Sequence, residues 1–251
     1  MTRPELLAKV AGIEGYLSDD EAWALYLAAR TCTTNAPRIV EIGSYKGRST
    51  IALGTALVER HAGSLVAIDP HAPTGKTSYT LEHGDADTFA EYEANLARAG
   101  VAAYVTSLRA TSTQARSNYD GRPIDVLFID GSHDYDDVLA DIDAWAPLLG
   151  PGAVVAFNDP YVPGVNRAIR ERIASGALTL ASYRHVNNTL FARKIEAAPN
   201  HRGMPLALAL YFNVEQLRFR LLKLSLRGAL EALGVIYVRP SAMRLPDWSL
   251  F

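Results

Sequence analysis

From Arg38 onward the chain alternates short, continuous apolar runs with longer stretches at helical spacing, and this alternation limits the fold more than any other feature. The runs are Ile39–Ile42, Leu65–Ile68, Ala102–Val105, Val126–Ile129 and Ala153–Phe157. Between them lie Ser49–Glu59, Asp87–Arg98, Tyr135–Trp145 and Val165–Ser175. Strands that are apolar throughout are buried on both faces, and strands separated by helices pair in parallel through right-handed crossovers. Two last runs, Leu178–His185 and Thr189–Lys194, are parted only by Val186-Asn187-Asn188. No crossover fits that gap, so the pair forms a hairpin and the last strand runs antiparallel to its neighbour. The expected fold is α/β: a doubly wound, mostly parallel seven-stranded sheet of Rossmann-like type, with an antiparallel last strand.

The segment before Arg38 reads as helical. Ser18-Asp19-Asp20-Glu21 is a capping box, with Ser18 as N-cap and Glu21 reaching back. The helix it opens carries Trp23, Tyr26, Leu27 and Arg30 at helical spacing and ends before Asn35-Ala36-Pro37. The organisation expected is a helical cap over 1–37, a ligand-binding domain over 38–195 and a helical extension over 200–251, all in one structural unit. A length of 251 residues, 49% of them hydrophobic, suits one such domain. A net charge of −2 gives no reason to expect a nucleic-acid partner. Cys32 is the only cysteine, which excludes an intramolecular disulfide. The N-terminal MTRPELLAKV has no long apolar run, and the apolar stretch Met204–Val214, at eleven residues, is too short to span a bilayer. A cytoplasmic protein is expected.

The first strand runs into Gly43-Ser44-Tyr45-Lys46-Gly47-Arg48-Ser49-Thr50. Gly43 and Gly47 bracket a tight strand-to-helix turn, and the N–H groups that open the next helix point at whatever occupies the crevice. The spacing departs from the Gly-x-Gly-x-x-Gly of a pyrophosphate site. The second strand ends in Asp69, a carboxylate placed either to accept from both hydroxyls of a ribose or to cap a helix.

The fourth strand ends in Asp130, with His133 three residues later, and the fifth ends in Asn158-Asp159. In an open α/β sheet, ligands bind at the carboxyl ends of the strands, so these residues converge. Two carboxylates and an amide oxygen make a hard donor set that suits Mg²⁺ and not Zn²⁺; the alternative is a pair of solvated loop acids. His133 is placed to take a proton from a metal-bound hydroxyl, or else to hydrogen-bond Asp134 or Asp137 at a helix start. The acids from Asp134 to Asp143 read mostly as helix N-terminal charge.

Val40–Thr50 resembles motif I of class I S-adenosylmethionine-dependent methyltransferases, whose sheet is also finished by an antiparallel hairpin. Over about residues 13–195 the chain resembles the metal-dependent O-methyltransferases of the catechol O-methyltransferase type, and their relatives that methylate sugars. The resemblance implies S-adenosylmethionine and Mg²⁺ as cofactors. It implies that Glu41 approaches the methionine moiety, that Gly43, Ser44, Gly47 and Ser49 form the cofactor loop, and that Asp69 binds the ribose. Thr111 and Ser112 of the Ala110-Thr111-Ser112 segment then lie along the adenine. Asp130 matches the family's metal-binding Asp at the cofactor's edge, and Asn158-Asp159 matches its second metal pair in reversed order. His133 falls where the catechol enzyme has its catalytic Lys.

The connection from His71 to Gly84 is long and mostly polar, and it starts beside the cofactor ribose. It is either an ordinary loop or a lid, in which case His71, Lys76 and Tyr79 touch the substrate. A polar lid suits a sugar better than a catechol. Residues 201–251 carry a net +4, against −6 for the rest, and Pro205–Leu233 reads as an apolar helix with a basic edge. That helix packs on its own domain, forms a homodimer interface, or lies on a membrane surface; the dimer is the favoured reading. The function expected is Mg²⁺-dependent methyl transfer to a hydroxyl of a sugar or oligosaccharide. The alternatives are transfer to a catechol or other phenol, and a hydroxylase-like or non-catalytic relative.

Overall fold

The structure, a computed structural model, describes residues 1–72, 87–196 and Asn213. Lys76, Tyr79, most of the expected lid and, apart from Asn213, the expected C-terminal helix lie outside the described residues. The elements are α1 (Arg3–Val10), α2 (Asp19–Arg30), β1 (Arg38–Ile42), α3 (Arg48–Arg60), β2 (Ser64–Ile68), α4 (Phe89–Ala99), β3 (Val105–Leu108) and α5 (Ser112–Arg116). There follow β4 (Ile124–Ile129), α6 (Tyr135–Trp145), β5 (Leu149–Asn158), α7 (Pro163–Ala174), β6 (Leu180–Val186) and β7 (Thr189–Lys194). Among the described residues, no helix is long and apolar enough to cross a membrane.

One seven-stranded sheet has the order β3-β2-β1-β4-β5-β7-β6. β7 pairs antiparallel with both β5 and β6, and the other strands run parallel. This is the doubly wound sheet that the alternation of runs implies. Successive side chains on β4 divide between the two faces. Val126 and Phe128 pack with Leu25, Leu53 and Phe191 on the α2–α3 side. Leu127 and Ile129 pack with Ile142, Trp145 and Ile169 on the α6–α7 side. The N-terminal helices therefore share the core of the sheet they cover.

The third strand differs from the expected Ala102–Val105. Ala102–Tyr104 is a single 3-10 turn and β3 runs Val105–Leu108. The physical reason is that β3 is an edge strand with no fully buried residue, so it reads as polar, with Thr106 and Ser107 inside it. The apolar signal before it belongs to Val101, which is fully buried against Gly54 at the turn out of α4.

The strand order reverses between β1 and β4. Asp130 N–H donates to the carbonyl of Ile42 (2.8 Å) and Gly43 N–H donates to that of Ile68 (2.8 Å), so β1, β2 and β4 end side by side. Gly43 has φ +87°, and a Cβ there would stand 2.1 Å from the carbonyl oxygen of Asp130. Gly43→Ala is expected to destabilise the fold by about 2–3 kcal/mol or more, because a backbone contact cannot yield as a side chain does. Urea denaturation measures this, and a wild-type midpoint would mean that the two strand ends do not abut.

Candidate functional site

A cleft of about 500 Å³ opens at the carboxyl ends of β1, β2, β4 and β5. One wall is Ile42–Lys46, with Ser49 behind it and Asp69 beside it. A second is Ala110–Thr113 with Ala140 and Asp141, and a third is Asp130–His133 with Asn158 and Asp159. Ser44, Ser49, Asp69, Thr111, Ser112, Asp130, His133, Asn158 and Asp159 are thereby gathered around one space. Gly43 lines it too, and Gly47 opens α3 from below with φ +92°.

Several of these side chains are already engaged. Asp69 accepts the N–H groups of Ser44 (3.0 Å) and Tyr45 (2.8 Å) on Oδ2, and that of His71 (2.7 Å) on Oδ1. It ties the glycine loop of β1 to the end of β2 while still facing the cleft. Glu41 does not reach the cleft wall. It is fully buried beneath the loop and accepts the Thr50 hydroxyl at 2.6 Å. Its Oε1 has no hydrogen-bond partner, and burial pushes its pKa up to about 7. His71 is buried under the same loop, its Nδ1 3.0 Å from the Thr88 hydroxyl and its ring against Phe89 and Tyr92. His71, expected to touch the substrate, does not line the cleft: its backbone takes φ +52° and its ring packs inward. Burial lowers its pKa, with the Asp69 charge opposing.

At the far end, Thr111 caps α5 by accepting the N–H of Gln114 (3.3 Å). The Ser112 hydroxyl donates to Asp141, which is only 5% exposed and has its pKa pushed up to about 6 by burial. Asp141 belongs to the acidic run read as helix charge, and its place on the cleft wall was not legible there.

On the third wall, Asn158 donates through Nδ2 to Asp130 Oδ1 (2.7 Å), and its own oxygen lies 3.1 Å from the Thr189 hydroxyl. Asp159 takes φ +49° just past β5, and consecutive side chains there both face the cleft instead of dividing between two faces. His133 Nε2 lies 3.5 Å from Asp159 Oδ2. Asp159 is thus the neighbour of His133, rather than Asp134 or Asp137. Gly164 at the start of α7 fixes that loop closely, since a Cβ there would meet the His133 carbonyl at 2.3 Å. Desolvation raises the pKa of Asp130 well above its ordinary value. The Asn158 amide offsets part of this, and the charges of Asp159, Glu21 and Glu41 add to it.

That electrostatic load is of the kind a cation relieves, and Asp130, Asp159 and the oxygen of Asn158 would be the hard donors for a divalent ion. Among the described residues, no three His, Cys, Asp or Glu side chains are gathered as a ready metal group. The third donor has to be Asn158, and it shows Asp130 its N–H in place of the expected oxygen.

Residues 14–17 also line the cleft and carry no sequence signal for doing so. Arg48 holds this stretch through the carbonyls of Leu17 (2.8 Å) and Val10 (2.7 Å) and through Asp19 (2.5 Å). Tyr16, 70% exposed, stands at the rim. Tyr45, Lys46, Tyr161 and Asn188 complete a polar margin.

Residues 40–160 match a family model described as a methyltransferase domain. The Uncharacterized protein y4gI of Sinorhizobium fredii (strain NBRC 101917 / NGR234) is 44% identical over 55 residues, which is 22% of this chain and 6% of that protein's length. Among solved structures, the fold is similar to that of the O-methyltransferase TomG from Streptomyces achromogenes, involved in tomaymycin synthesis and solved with S-adenosylmethionine. The TM-score is 0.57 at 24% identity, over 76% of this chain and 90% of that one. It is also similar to CalS11, described as a TDP-rhamnose 3'-O-methyltransferase of calicheamicin biosynthesis, with a TM-score of 0.51 at 17% identity over 76% and 92% of the two chains.

Asp141 carries a pH-dependent cost. Its carboxyl holds a proton to about pH 6 in the folded chain, against an ordinary value of 3.8. The folded state binds that proton more tightly, so stability is highest below the unfolded value and falls as pH rises through 6, by on the order of 3 kcal/mol. Asp141→Asn keeps an acceptor for Ser112 and carries no charge. It is expected to exceed wild type by about 1–3 kcal/mol at pH 8 and to match it near pH 4 in urea denaturation. Equal stabilities at both pH values would show that the charge at Asp141 costs nothing.

Proposed function

We propose, on the premise that residues 40–160 are a class I S-adenosylmethionine-dependent methyltransferase domain, that the chain methylates a hydroxyl of a sugar or similar polyhydroxylated acceptor with Mg²⁺ bound. The observation that carries this reading is that the glycine-loop wall and the Asp130–His133–Asp159 wall share one cleft. When bound, S-adenosylmethionine supplies the methyl group, and Mg²⁺ held by Asp130, Asp159 and Asn158 lowers the pKa of an acceptor hydroxyl.

The chain's own residues do the rest. Asp69 holds the Ser44–Tyr45 turn in shape through their N–H groups, where it would face the cofactor's ribose, and Ser112 and Asp141 would flank its adenine. Glu41 ties the end of β1 to the first turn of α3 through Thr50. His133 takes the acceptor's proton. With Nε2 turned to Asp159 Oδ2 at 3.5 Å, its Nδ1 is the atom left for the hydroxyl. The margin of Glu14, Tyr16, Tyr45, Lys46, Tyr161 and Asn188 is rich in hydrogen-bonding groups, which favours a polyhydroxylated acceptor over a catechol. The name of CalS11, a sugar O-methyltransferase of the same fold, is consistent with this reading.

Methyl transfer from labelled S-adenosylmethionine to a panel of nucleotide sugars, oligosaccharides and catechols, followed by mass spectrometry, is expected to favour the sugars. It is also expected to stop on exhaustive chelation and return with Mg²⁺. Transfer to catechols alone would sink the sugar reading, and transfer that survives chelation would sink the metal. His133→Ala is expected to lower kcat about 10²–10⁴-fold near pH 7 and to leave S-adenosylhomocysteine affinity unchanged. The deficit is expected to narrow as pH rises and hydroxide replaces the base. An unchanged kcat per folded molecule would move the base elsewhere.

A further inference from the structure

Glu21 and Thr189 are buried polar residues, 1% and 0% exposed, that the transfer as described does not use. Glu21 belongs to the capping box of α2, where its Oε2 accepts the Ser18 N–H (2.9 Å) and hydroxyl (2.6 Å). Its other oxygen crosses to the β6–β7 turn. Oε1 accepts the Asn188 N–H (2.9 Å) and the Thr189 hydroxyl (2.8 Å). Asn187 closes the same contact by donating to the Ser18 hydroxyl (2.7 Å). The Thr189 oxygen lies 3.1 Å from Asn158 Oδ1, and Asn158 reaches Asp130. A buried chain of hydrogen bonds thus runs from the N-terminal helix through the last hairpin to the candidate cation donors.

The protons in this chain can be counted. Thr189 has one hydroxyl proton and two acceptors within reach, Glu21 at 2.8 Å and Asn158 at 3.1 Å. A carboxylate is the stronger and the nearer acceptor, so the proton goes to Glu21. The Thr189 oxygen is then left with lone pairs only, and it calls for a donor from Asn158. The two ends of an amide have the same shape, so the Asn158 side chain satisfies Thr189 by turning its NH₂ toward it. Its oxygen then faces Asp130 Oδ1, and two oxygens side by side require a cation between them or a proton on the carboxyl.

We propose that Thr189, held by Glu21, is a positioning residue that turns the Asn158 amide so that its oxygen joins Asp130 and Asp159 in the cation site. The inference rests on the metal reading above. It assigns the antiparallel hairpin and the capping box of α2 a shared role, which is to set the orientation of a metal ligand one bond behind it. Without a cation, the amide gives its N–H to Asp130 and its oxygen faces the Thr189 hydroxyl as an acceptor. Aligning Asn158 on the cation then comes from Glu21 and Thr189, two buried side chains that do not line the cleft.

The experiment is Mn²⁺ titration followed by electron paramagnetic resonance, with Mn²⁺ in place of Mg²⁺, on the wild type and on Thr189→Val, Thr189→Ser and Glu21→Gln. S-adenosylhomocysteine affinity is measured alongside by calorimetry. Thr189→Val keeps shape and loses the hydroxyl, so it is expected to bind Mn²⁺ about 10–100-fold more weakly, the usual effect of removing a ligand's orienting partner. Glu21→Gln is expected to weaken it in the same direction, Thr189→Ser to restore it, and S-adenosylhomocysteine affinity to stay level in all three. Wild-type Mn²⁺ affinity in Thr189→Val overturns the positioning role while leaving the metal reading intact. A wild-type protein that binds no Mn²⁺ overturns the metal reading, and this inference with it. An equal loss of Mn²⁺ and S-adenosylhomocysteine in both Thr189→Val and Glu21→Gln also overturns it, since that is the mark of a hairpin that only packs.

Discussion

The cleft depends on the abutment of two strand ends where the sheet changes direction. β1 and β4 are neighbours, but the helices that follow them leave toward opposite faces, and a crevice opens between. The backbone closes the base of that crevice so tightly that only a glycine fits at 43, against the carbonyl of Asp130. Loop and acid are therefore locked in relation to each other by main-chain contact. Any ligand spanning the crevice meets the Ser44–Tyr45 turn on one side and the Asp130 carboxyl on the other, whatever the surface loops do.

A second constraint follows from depth. The crevice is lined or underlain by carboxyl groups that burial pushes away from ionisation: Glu21, Glu41, Asp130 and Asp141. Each is accommodated differently. Glu21 is surrounded by donors from two distant parts of the chain. Glu41 is served by Thr50 on one oxygen only. Asp141 has the Ser112 hydroxyl. Asp130 has a single amide and faces the charges of three other acids. Charge accumulated without a fixed cation costs stability, and it marks the place where positively charged chemistry is most strongly favoured.

The N-terminal helices and the β6–β7 hairpin, far apart in sequence, meet at this point. Ser18 and Glu21 reach Asn187, Asn188 and Thr189 across more than 160 residues, with separations of 167 to 169. Asp159 N–H donates to the Asn188 carbonyl at 2.7 Å, which ties the end of β5 to the same turn. The cap is therefore part of the site's frame. Arg48 plays a similar part on the other side, gripping Val10, Leu17 and Asp19 to hold residues 14–17 over the crevice.

Local chemistry was enough to read the sheet. Buried parallel strands announce themselves as continuous apolar runs, a three-residue gap can only be a hairpin, and Ser18 with Glu21 is a capping box wherever it stands. It was also enough to place Asp69, Asp130 and Asn158-Asp159 together, because strand ends in such a sheet lie on one edge. It failed at β3, where an edge strand has no need of apolar residues, and at His71, where one left-handed residue turns a ring from the crevice into the core. It was also silent on direction: which atoms of Asp69 are already taken, which end of Asn158 faces Asp130, and which oxygen of Glu21 crosses to Thr189. Periodicity and motif record which residues share a face or an edge. The orientation of a polar side chain is set by donors and acceptors that arrive from remote segments, and only the folded chain brings those together.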